Sequence, residues 1–274
     1  MFFRRYYYHK THFFMRLLLT IVFCAALLGG GYYWLNTHQS NPSNLTNLSN
    51  PSVQELASQR YRTGQEAVLT INHNRSTLNP NSWHTDHVDY SQLDSLKRTS
   101  TPATAYLDQR NVANDSLRVE QTVKPTGWHQ RFDMHHQPIL NRGHIIAYSL
   151  SKGIAANGQY NPTLQSGDQN NPRNLFTQTA FCNQELQTVY EAKVRHALEQ
   201  GKRVVYQVQP IFRGLDQMPV GVHMQAISTD KSLNFNVYLF NVQPGFRFVY
   251  LTGNSVVNRS MRVPMLPASP HFQN

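Results

Sequence analysis

A short polar segment, Asn141–His144, follows an apolar segment and combines side chains with distinct chemical uses. His144 is a candidate general base, because a neutral histidine near pH 7 can accept a proton. Arg142 could pair with a phosphate or stabilise a negatively charged transition state. Gly143 permits a backbone conformation that a β-carbon would hinder. The segment therefore suggests hydrolytic chemistry on an anionic group.

Amide and acidic side chains recur downstream in the pattern N-x3-Q-x4-N-x7-E, which consists of Asn174, Gln178, Asn183 and Glu191. The chain has no Walker loop, no GxSxG or HExxH motif and no paired CxxC. Several common classes of nucleotide-binding, serine-hydrolase and zinc proteins are thereby excluded. An RGH tripeptide alone occurs by chance, but its combination with the downstream pattern is far more specific.

The segments LNRGHIIAYSL, NPRNLFTQTAFCNQ and VYEAKVRHAL closely resemble the DNA/RNA non-specific endonucleases of the ββα-metal (His-Me finger) superfamily. Within that family they are most similar to streptococcal-type secreted or membrane-anchored DNases such as competence nucleases. The resemblance covers roughly residues 72–252. It implies an α+β fold in which a ββα-metal finger is built onto a largely antiparallel central β-sheet, with a long helix at the metal site.

The resemblance also implies roles for individual side chains. His144 would activate water without binding the metal, and Asn183 would be a direct ligand of Mg²⁺, with Mn²⁺ as an alternative. Glu191 would hold a metal-bound water or orient Asn183. Asn174 and Gln178 would lie in the active-site shell, fixing the metal site or touching DNA. Mg²⁺ prefers oxygen ligands and keeps several waters, so this small ligand set is chemically reasonable.

Asn141 departs from the family pattern, since many members have Asp at this position. Asn keeps the hydrogen-bonding shape but removes a negative charge, so a charge-based role for this position is in doubt. Structural roles also remain open for several residues: Arg142 as a surface charge, Asn174 as a helix cap, and Glu191 as the partner of Arg195 at i,i+4. Outside the motif we interpret four residues as structural, namely His135 and His136 at the surface, Cys182 as packing and Trp128 as core.

The longest predicted element is a helix over residues 174–200, which Gly201 terminates. Strand-like segments cover residues 67–72, 203–212, 222–228, 233–242 and 246–252. Residues 233–239 alternate apolar and polar side chains, which predicts a half-buried strand. Together these patterns predict a mixed α+β domain with a largely antiparallel sheet.

The N-terminal segment, residues 1–35, is predicted to be a signal-anchor or transmembrane helix. Residues 17–35 contain no charge, and nineteen residues at ~1.5 Å each nearly span a ~30 Å hydrocarbon core. Four basic residues precede them, which places the N-terminus inside and the remainder outside. A cleaved signal peptide, leaving a secreted protein, and a buried soluble helix are the alternatives. Residues 36–57 are predicted to be a flexible Asn/Ser/Pro linker, and residues 58–274 the endonuclease domain.

The chain of 274 residues is basic, with 25 Lys and Arg, 15 Asp and Glu, and a formal net charge of +10. This balance favours a polyanionic partner such as nucleic acid, an anionic membrane face or an acidic wall polymer. Two cysteines exclude a disulfide-stapled fold. We expect an extracellular, metal-dependent, sequence-non-specific endonuclease that cuts DNA and also RNA. The alternatives are a non-catalytic DNA-binding or DNA-uptake protein, working with an uptake machinery, and a hydrolase of another phosphodiester polymer such as teichoic acid.

Overall fold

The computed structural model describes residues 47–118 and 120–271. A seven-stranded sheet forms its centre, with strand order β1-β2-β9-β8-β7-β4-β3. Only the short β1–β2 pair is parallel, and the other pairs are antiparallel. The strands are β1 (Asn47–Leu48), β2 (Val68–Ile71), β3 (His87–Asp89), β4 (Ala103–Leu107), β7 (Val204–Ile211), β8 (Gly221–Ser228) and β9 (Asn234–Phe240). The predicted antiparallel sheet is therefore confirmed.

Two further strand pairs lie outside the central sheet. Strands β5 (Leu140–His144) and β6 (Leu175–Thr179) are antiparallel partners. Strands β10 (Phe246–Val249) and β11 (Asn254–Val257) form a second hairpin. Helical structure after β6 passes through a π-helical turn, Cys182–Gln187, into α2 (Thr188–Glu199). Strands β5 and β6 with this helix make the predicted ββα unit.

The predicted helix over residues 174–200 is too long at its N-terminal end. Residues 175–179 are strand β6, and helical conformation begins only at Ala180. All five β6 residues are buried, so the strand shows no alternation that could distinguish it from a buried helix by sequence. The predicted helix end is correct: Gly201 has φ 77°. The Gly201 N–H donates to Leu198 O at 2.9 Å and the Lys202 N–H to Ala197 O at 3.0 Å, the bonding of a Schellman motif.

The half-buried character predicted for residues 233–239 is also wrong, because β9 is buried along most of its length. The helix covers it from one side, where the Tyr190 and Phe235 rings lie 5.2 Å apart. The polar Asn236 is tolerated in this interior because its side chain is paired. It lies 2.7 Å from His223 Nε2 and donates to Arg75 O at 3.2 Å.

The N-terminal boundary of the folded part differs from the predicted linker. Helix α1 (Val53–Ser58) begins with a capping box, in which the Ser52 hydroxyl accepts from Glu55 N and Glu55 accepts from Ser52 N. Leu56 and Ala57 of this helix are buried in the core. These residues therefore belong to the folded domain and not to a flexible linker. The predicted membrane segment, residues 1–35, lies outside the described residues, among which no helix is long and apolar enough to cross a membrane.

Candidate active site

A cleft of about 440 Å³ lies at the end of β5 and beside the π-helical turn. Five of the eight predicted site residues line it: Asn141, Arg142, His144, Asn183 and Glu191. Residues separated by up to fifty positions in sequence are thus brought together by the β5–β6–α2 unit. The lining includes two arginines, Arg118 and Arg142, and a single carboxyl group, so the described part of the cleft favours an anion.

His144 is the last residue of β5, and its ring is held on one side by backbone and amide groups. Its Nε2 lies 3.2 Å from both Gln169 O and Gln121 Nε2, and Gln121 Nε2 also donates to Gln169 O at 3.1 Å. The carbonyl can only accept and the amide nitrogen can only donate, so the two neighbours favour different tautomers. We assign the ring proton to Nε2, facing Gln169 O, with the Gln121 N–H directed at that same carbonyl. No residue that the structure describes forms a hydrogen bond to Nδ1, so this nitrogen keeps an available lone pair. Burial lowers the pKa of His144 to about 4, which makes the imidazole neutral at pH 7.

Arg142 is oriented by two contacts within the cleft. Its Nε donates to Val123 O at 2.6 Å, and its guanidinium carbon lies 4.8 Å from the centre of the Trp128 ring. Trp128 is therefore not the core residue that the sequence suggested: it is half-buried, packs against a small apolar cluster and forms a wall of the cleft. Stacking restricts the guanidinium, so fewer rotamers are lost when its terminal nitrogens bind an anion.

Asn183 and Glu191 face the same cleft although they are eight residues apart. At 3.6 residues per turn this separation is about 2.2 turns, which would leave the two side chains angularly offset. The π-helical turn begins just before Asn183 and reduces this offset, because π turns contain more residues than α turns. The Thr188 hydroxyl supports this turn by donating to Asn183 O at 2.8 Å. The chain thereby presents an amide and a carboxyl group to the same cleft.

Gln187 is a site residue that the sequence did not reveal. This fully buried side chain donates through Nε2 to His144 O at 2.9 Å and to Glu191 Oε1 at 2.7 Å. Its Oε1 accepts from Gln178 Nε2 at 2.9 Å. One amide therefore fixes both the backbone of His144, the candidate base, and the carboxyl group of Glu191. Burial raises the pKa of Glu191 to about 7, while the hydrogen bond from Gln187 opposes that rise.

The other three predicted residues, Gly143, Asn174 and Gln178, support the cleft without lining it. Asn174 is buried in the turn before β6, and its amide accepts from Ile146 N at 2.8 Å and donates to Ile146 O at 3.1 Å. It fixes the chain just after His144, and because a strand follows it, the alternative that it caps the long helix does not hold. Gln178 lies on β6 directly opposite Asn141 and not on the helix.

Two structural alternatives can also be judged from the contacts. Glu191 pairs with Gln187, and Arg195 pairs with Glu199 at 2.9 Å, so the proposed Glu191–Arg195 pair is absent among the described contacts. Cys182 is fully buried, as the packing role requires. His135 and His136 are exposed, which agrees with their interpretation as surface residues.

Gly143 is needed for close approach of the two strands rather than for an unusual backbone conformation. It is not among the positive-φ glycines, but a β-carbon on it would lie 2.1 Å from Gln178 Oε1 and 2.7 Å from Gln178 Cβ. Since Gln178 is buried and bonded to Gln187, it has little room to move.

We therefore expect Gly143→Ala to lower the free energy of unfolding by about 1–3 kcal/mol, the usual effect of overpacking. Urea denaturation would measure the loss. An unchanged midpoint would mean that β5 and β6 can separate without cost.

The profile of the DNA/RNA non-specific endonuclease family matches residues 76–230. This chain belongs to that family. NucA from Streptococcus agalactiae with a magnesium ion bound is 33% identical, with 70% of this chain and 87% of NucA covered and a TM-score of 0.59. NucA with no metal bound is 31% identical, with 72% and 90% covered and a TM-score of 0.58. The Sda1 nuclease with bound zinc ion, at 17% identity, 70% and 97% coverage and a TM-score of 0.51, shows the same fold.

Membership of the family makes this endonuclease an enzyme whose substrate is nucleic acid. It therefore favours catalysis over the non-catalytic DNA-capture hypothesis. No group of three or more His, Cys, Asp or Glu side chains suited to a metal occurs within residues 47–118 and 120–271. The donors that the cleft does offer, the Asn183 amide oxygen and the Glu191 carboxyl group, are of the type that suits a hard cation with few protein ligands.

Proposed function

We propose that this endonuclease is a metal-dependent, sequence-non-specific enzyme that hydrolyses DNA and also RNA on the outer side of the cell membrane. The observation that carries the proposal is the convergence of His144, Arg142, Asn183 and Glu191 on one cleft. Hydrolysis of a phosphodiester requires a base for water and positive charge for the developing phosphorane. Of these four side chains, His144 is the base for water. Arg142 supplies positive charge, and Asn183 and Glu191 would hold the cation that supplies the rest.

His144 acts as the general base through Nδ1. The Gln169 carbonyl fixes the ring through Nε2, and Gln187 fixes the backbone carbonyl of the same residue. A pKa of about 4 keeps the base unprotonated in the free enzyme at pH 7, although it also makes the base weak. As His144 takes the proton, the anionic phosphodiester stabilises the imidazolium that forms, and a bound divalent cation opposes this effect.

We propose that Asn183 would hold a divalent cation directly and Glu191 would hold it through a bound water, the cation being Mg²⁺ with Mn²⁺ as a substitute. No described residue hydrogen-bonds to the Asn183 side chain, and Gln187 engages only Oε1 of Glu191, so oxygen atoms remain for a metal or its waters. When bound, the cation would supply charge stabilisation to the phosphate, and the neutral Asn183 amide would not reduce its charge. Magnesium in NucA from Streptococcus agalactiae supports this choice.

Arg142 contacts the phosphate that is attacked, with its guanidinium already oriented by Trp128 and Val123. Water attacks phosphorus as its proton passes to His144, the bond from phosphorus to the 3′ oxygen breaks, and a solvent water protonates the leaving 3′ oxygen. The products are a 5′-phosphate and a 3′-hydroxyl. Asn141 lines the cleft without contributing charge, so the cleft keeps its positive balance.

Sequence-independent binding follows from contacts to phosphates rather than to bases. The net charge of +10 is suited to this mode. The basic segment before residues 17–35 and the absence of charge within them support an anchored enzyme whose catalytic domain is outside the cell, or a secreted one after signal cleavage. An uptake machinery could then receive the cut strands as a partner.

Plasmid cleavage by the full-length protein tests the proposal directly. With Mg²⁺ we expect supercoiled DNA to become nicked, linear and then fragmented, because random phosphates are cut. EDTA should abolish cutting, and excess Mg²⁺ should restore it. The fragments should accept a 5′ label only after phosphatase treatment. Retarded but uncut plasmid in every reaction would contradict the proposal and support DNA capture, and cutting that persists in EDTA would contradict metal dependence.

A further inference from the structure

A tight hairpin of residues 131–138, hereafter hairpin 131–138, projects beside the active-site cleft. Phe132 and Pro138 form an antiparallel bridge, and the Ile139 N–H donates to Arg131 O at 3.0 Å. At its tip the Asp133 carboxylate accepts from His135 N at 2.8 Å and from Gln137 N at 2.9 Å. These hydrogen bonds fix the backbone of the segment, so the positions from which its side chains project are defined.

Two large apolar side chains on this hairpin face solvent. Phe132 is 56% exposed and Met134 is 87% exposed. They line a second cavity, of about 740 Å³, together with residues of the β10–β11 region and Arg259. We call this cavity the outer pocket; its lining residues are Arg131–His135, Pro244–Phe246, Val257 and Arg259. An exposed aromatic and an exposed thioether on one hydrogen-bonded hairpin indicate a binding surface rather than packing.

The charges around the outer pocket suit a phosphate-bearing ligand. Arg131 is anchored to the β11 strand through a 3.1 Å bond from its Nη1 to Ser255 O. Arg259 also lines the outer pocket, and no residue in the described part of the chain pairs with its guanidinium. The acidic Asp133 is engaged by the two backbone N–H groups of the turn. The outer pocket thus combines an aromatic face with adjacent cations, as sites for single-stranded nucleic acid do.

The outer pocket is connected to the active-site cleft through the base of the hairpin. Gln130 and Pro138, at the two ends of hairpin 131–138, line the cleft itself. Gln130 Nε2 donates to Leu140 O at 2.8 Å, and Gln130 Oε1 accepts from Leu140 N at 3.2 Å. Leu140 begins β5 and precedes Arg142 by two residues. A strand whose phosphate lies in the cleft therefore reaches the hairpin within a short distance.

We propose that the outer pocket is a nucleobase subsite. An unstacked base next to the cleaved phosphate stacks on Phe132, while Arg131 and Arg259 contact neighbouring phosphates of the same strand. Met134 closes over the base, since a flexible thioether adapts to any of the four bases. Stacking tolerates sequence because every base has a π-face. The inference rests on the proposed nuclease function and deepens it, because it predicts a preference for single-stranded or frayed substrate.

The test compares Phe132→Ala and Phe132→Trp with the wild-type full-length protein on a single-stranded 12-mer and on the same oligonucleotide made abasic. Phe132→Ala should raise KM for the normal oligonucleotide about 5- to 150-fold, the range of base–aromatic stacking. On the abasic strand the variant and wild type should have the same KM. Phe132→Trp should keep KM near the wild-type value on the normal oligonucleotide, because an indole ring also stacks on bases. Leu215→Ala, which removes a 69% exposed apolar side chain outside the outer pocket, is the matched control and should change neither value.

A second readout follows the base directly. The fluorescence of 2-aminopurine in the 12-mer should be quenched by wild type and by Phe132→Trp but not by Phe132→Ala. Equal KM values for Phe132→Ala and wild type on the normal strand would overturn the subsite while leaving the nuclease function intact. The subsite would also be overturned if Phe132→Ala lost binding to phosphatidylglycerol vesicles without a change in KM. That result would assign the outer pocket to membrane binding. No cleavage by wild type would overturn the function and the inference together.

Discussion

Replacing His144 with Ala should lower kcat on plasmid DNA by at least about 100-fold at saturating Mg²⁺, the usual contribution of a general base. The side chain is the only imidazole lining the described cleft, and its Nδ1 lone pair is free of hydrogen bonds to the described residues. KM should change little, because the substrate is held by phosphate contacts and not by the base. Steady-state cleavage of a fluorogenic oligonucleotide would measure both parameters.

Chemical rescue distinguishes loss of the base from loss of structure. The cavity left by His144→Ala opens into the cleft, so added imidazole should restore part of the activity in a concentration-dependent way. His84→Ala is the matched control, since it removes an exposed histidine far along the sequence, and should stay within about twofold of wild type. Activity near wild type in His144→Ala would place the base elsewhere. A lost thermal transition would instead reveal a structural role for His144.

The local pattern around His144 was readable from sequence because its chemistry and its neighbours are contiguous. The apolar segment before Asn141 leads into β5, and four of the five strands after Gly201 lie close to the predicted ranges, whereas β11 was not predicted. In β7, β8 and β9 the β-branched and aromatic residues favour strand conformation, and they are also buried in the central sheet, so the local preference and the tertiary packing favour the same structure. The sequence was also sufficient to bring Asn183 and Glu191 to the same site as His144.

The parts that sequence did not reveal depend on tertiary contacts. Strand β6 was predicted as helix because every one of its side chains is buried, which removes the alternation that identifies a strand. The importance of Gln187 arises from three partners on three elements, His144, Glu191 and Gln178, and no local spacing encodes them. The π-helical turn likewise has no compositional signature, yet it decides which face Asn183 shares with Glu191.

The amide side chains at the site have two different tasks: some hold the surrounding structure in place, and one is available for a ligand. Asn174 and Gln187 are buried and fully used in fixing the backbone and the carboxyl group. Asn183 has the same functional group but no hydrogen bond from its side chain to the residues described, and it borders the cleft. Burying an amide is tolerated when it is paired, whereas an unpaired amide at a cleft is available for a ligand. This contrast supports Asn183 as the metal-binding residue.

Asn183→Ala should abolish metal-dependent cleavage, lowering kcat/KM by about 100-fold or more at 1–10 mM Mg²⁺, because one of two protein donors is removed. The fold should survive. The Asn183 backbone carbonyl still accepts from Thr188, and the lost side chain makes no hydrogen bond with other described residues. We expect the melting temperature to stay within a few degrees of wild type, as for substitutions away from packed or paired groups. Activity against Mg²⁺ concentration, with calorimetric titration of Mg²⁺, would measure the effect.

Asn183→Asp separates binding of the cation from use of its charge. A carboxylate should hold Mg²⁺ at least as tightly as the amide, so the Mg²⁺ concentration for half-maximal activity should not rise. The added negative charge reduces the attraction between the cation and the phosphate, so kcat should fall, by an amount smaller than in Asn183→Ala. Asn81→Ala, at an exposed asparagine outside the cleft, should leave both values unchanged. If Asn183→Ala keeps the wild-type Mg²⁺ dependence, Asn183 is not a ligand, and Glu191 must hold the cation with another oxygen of the cleft.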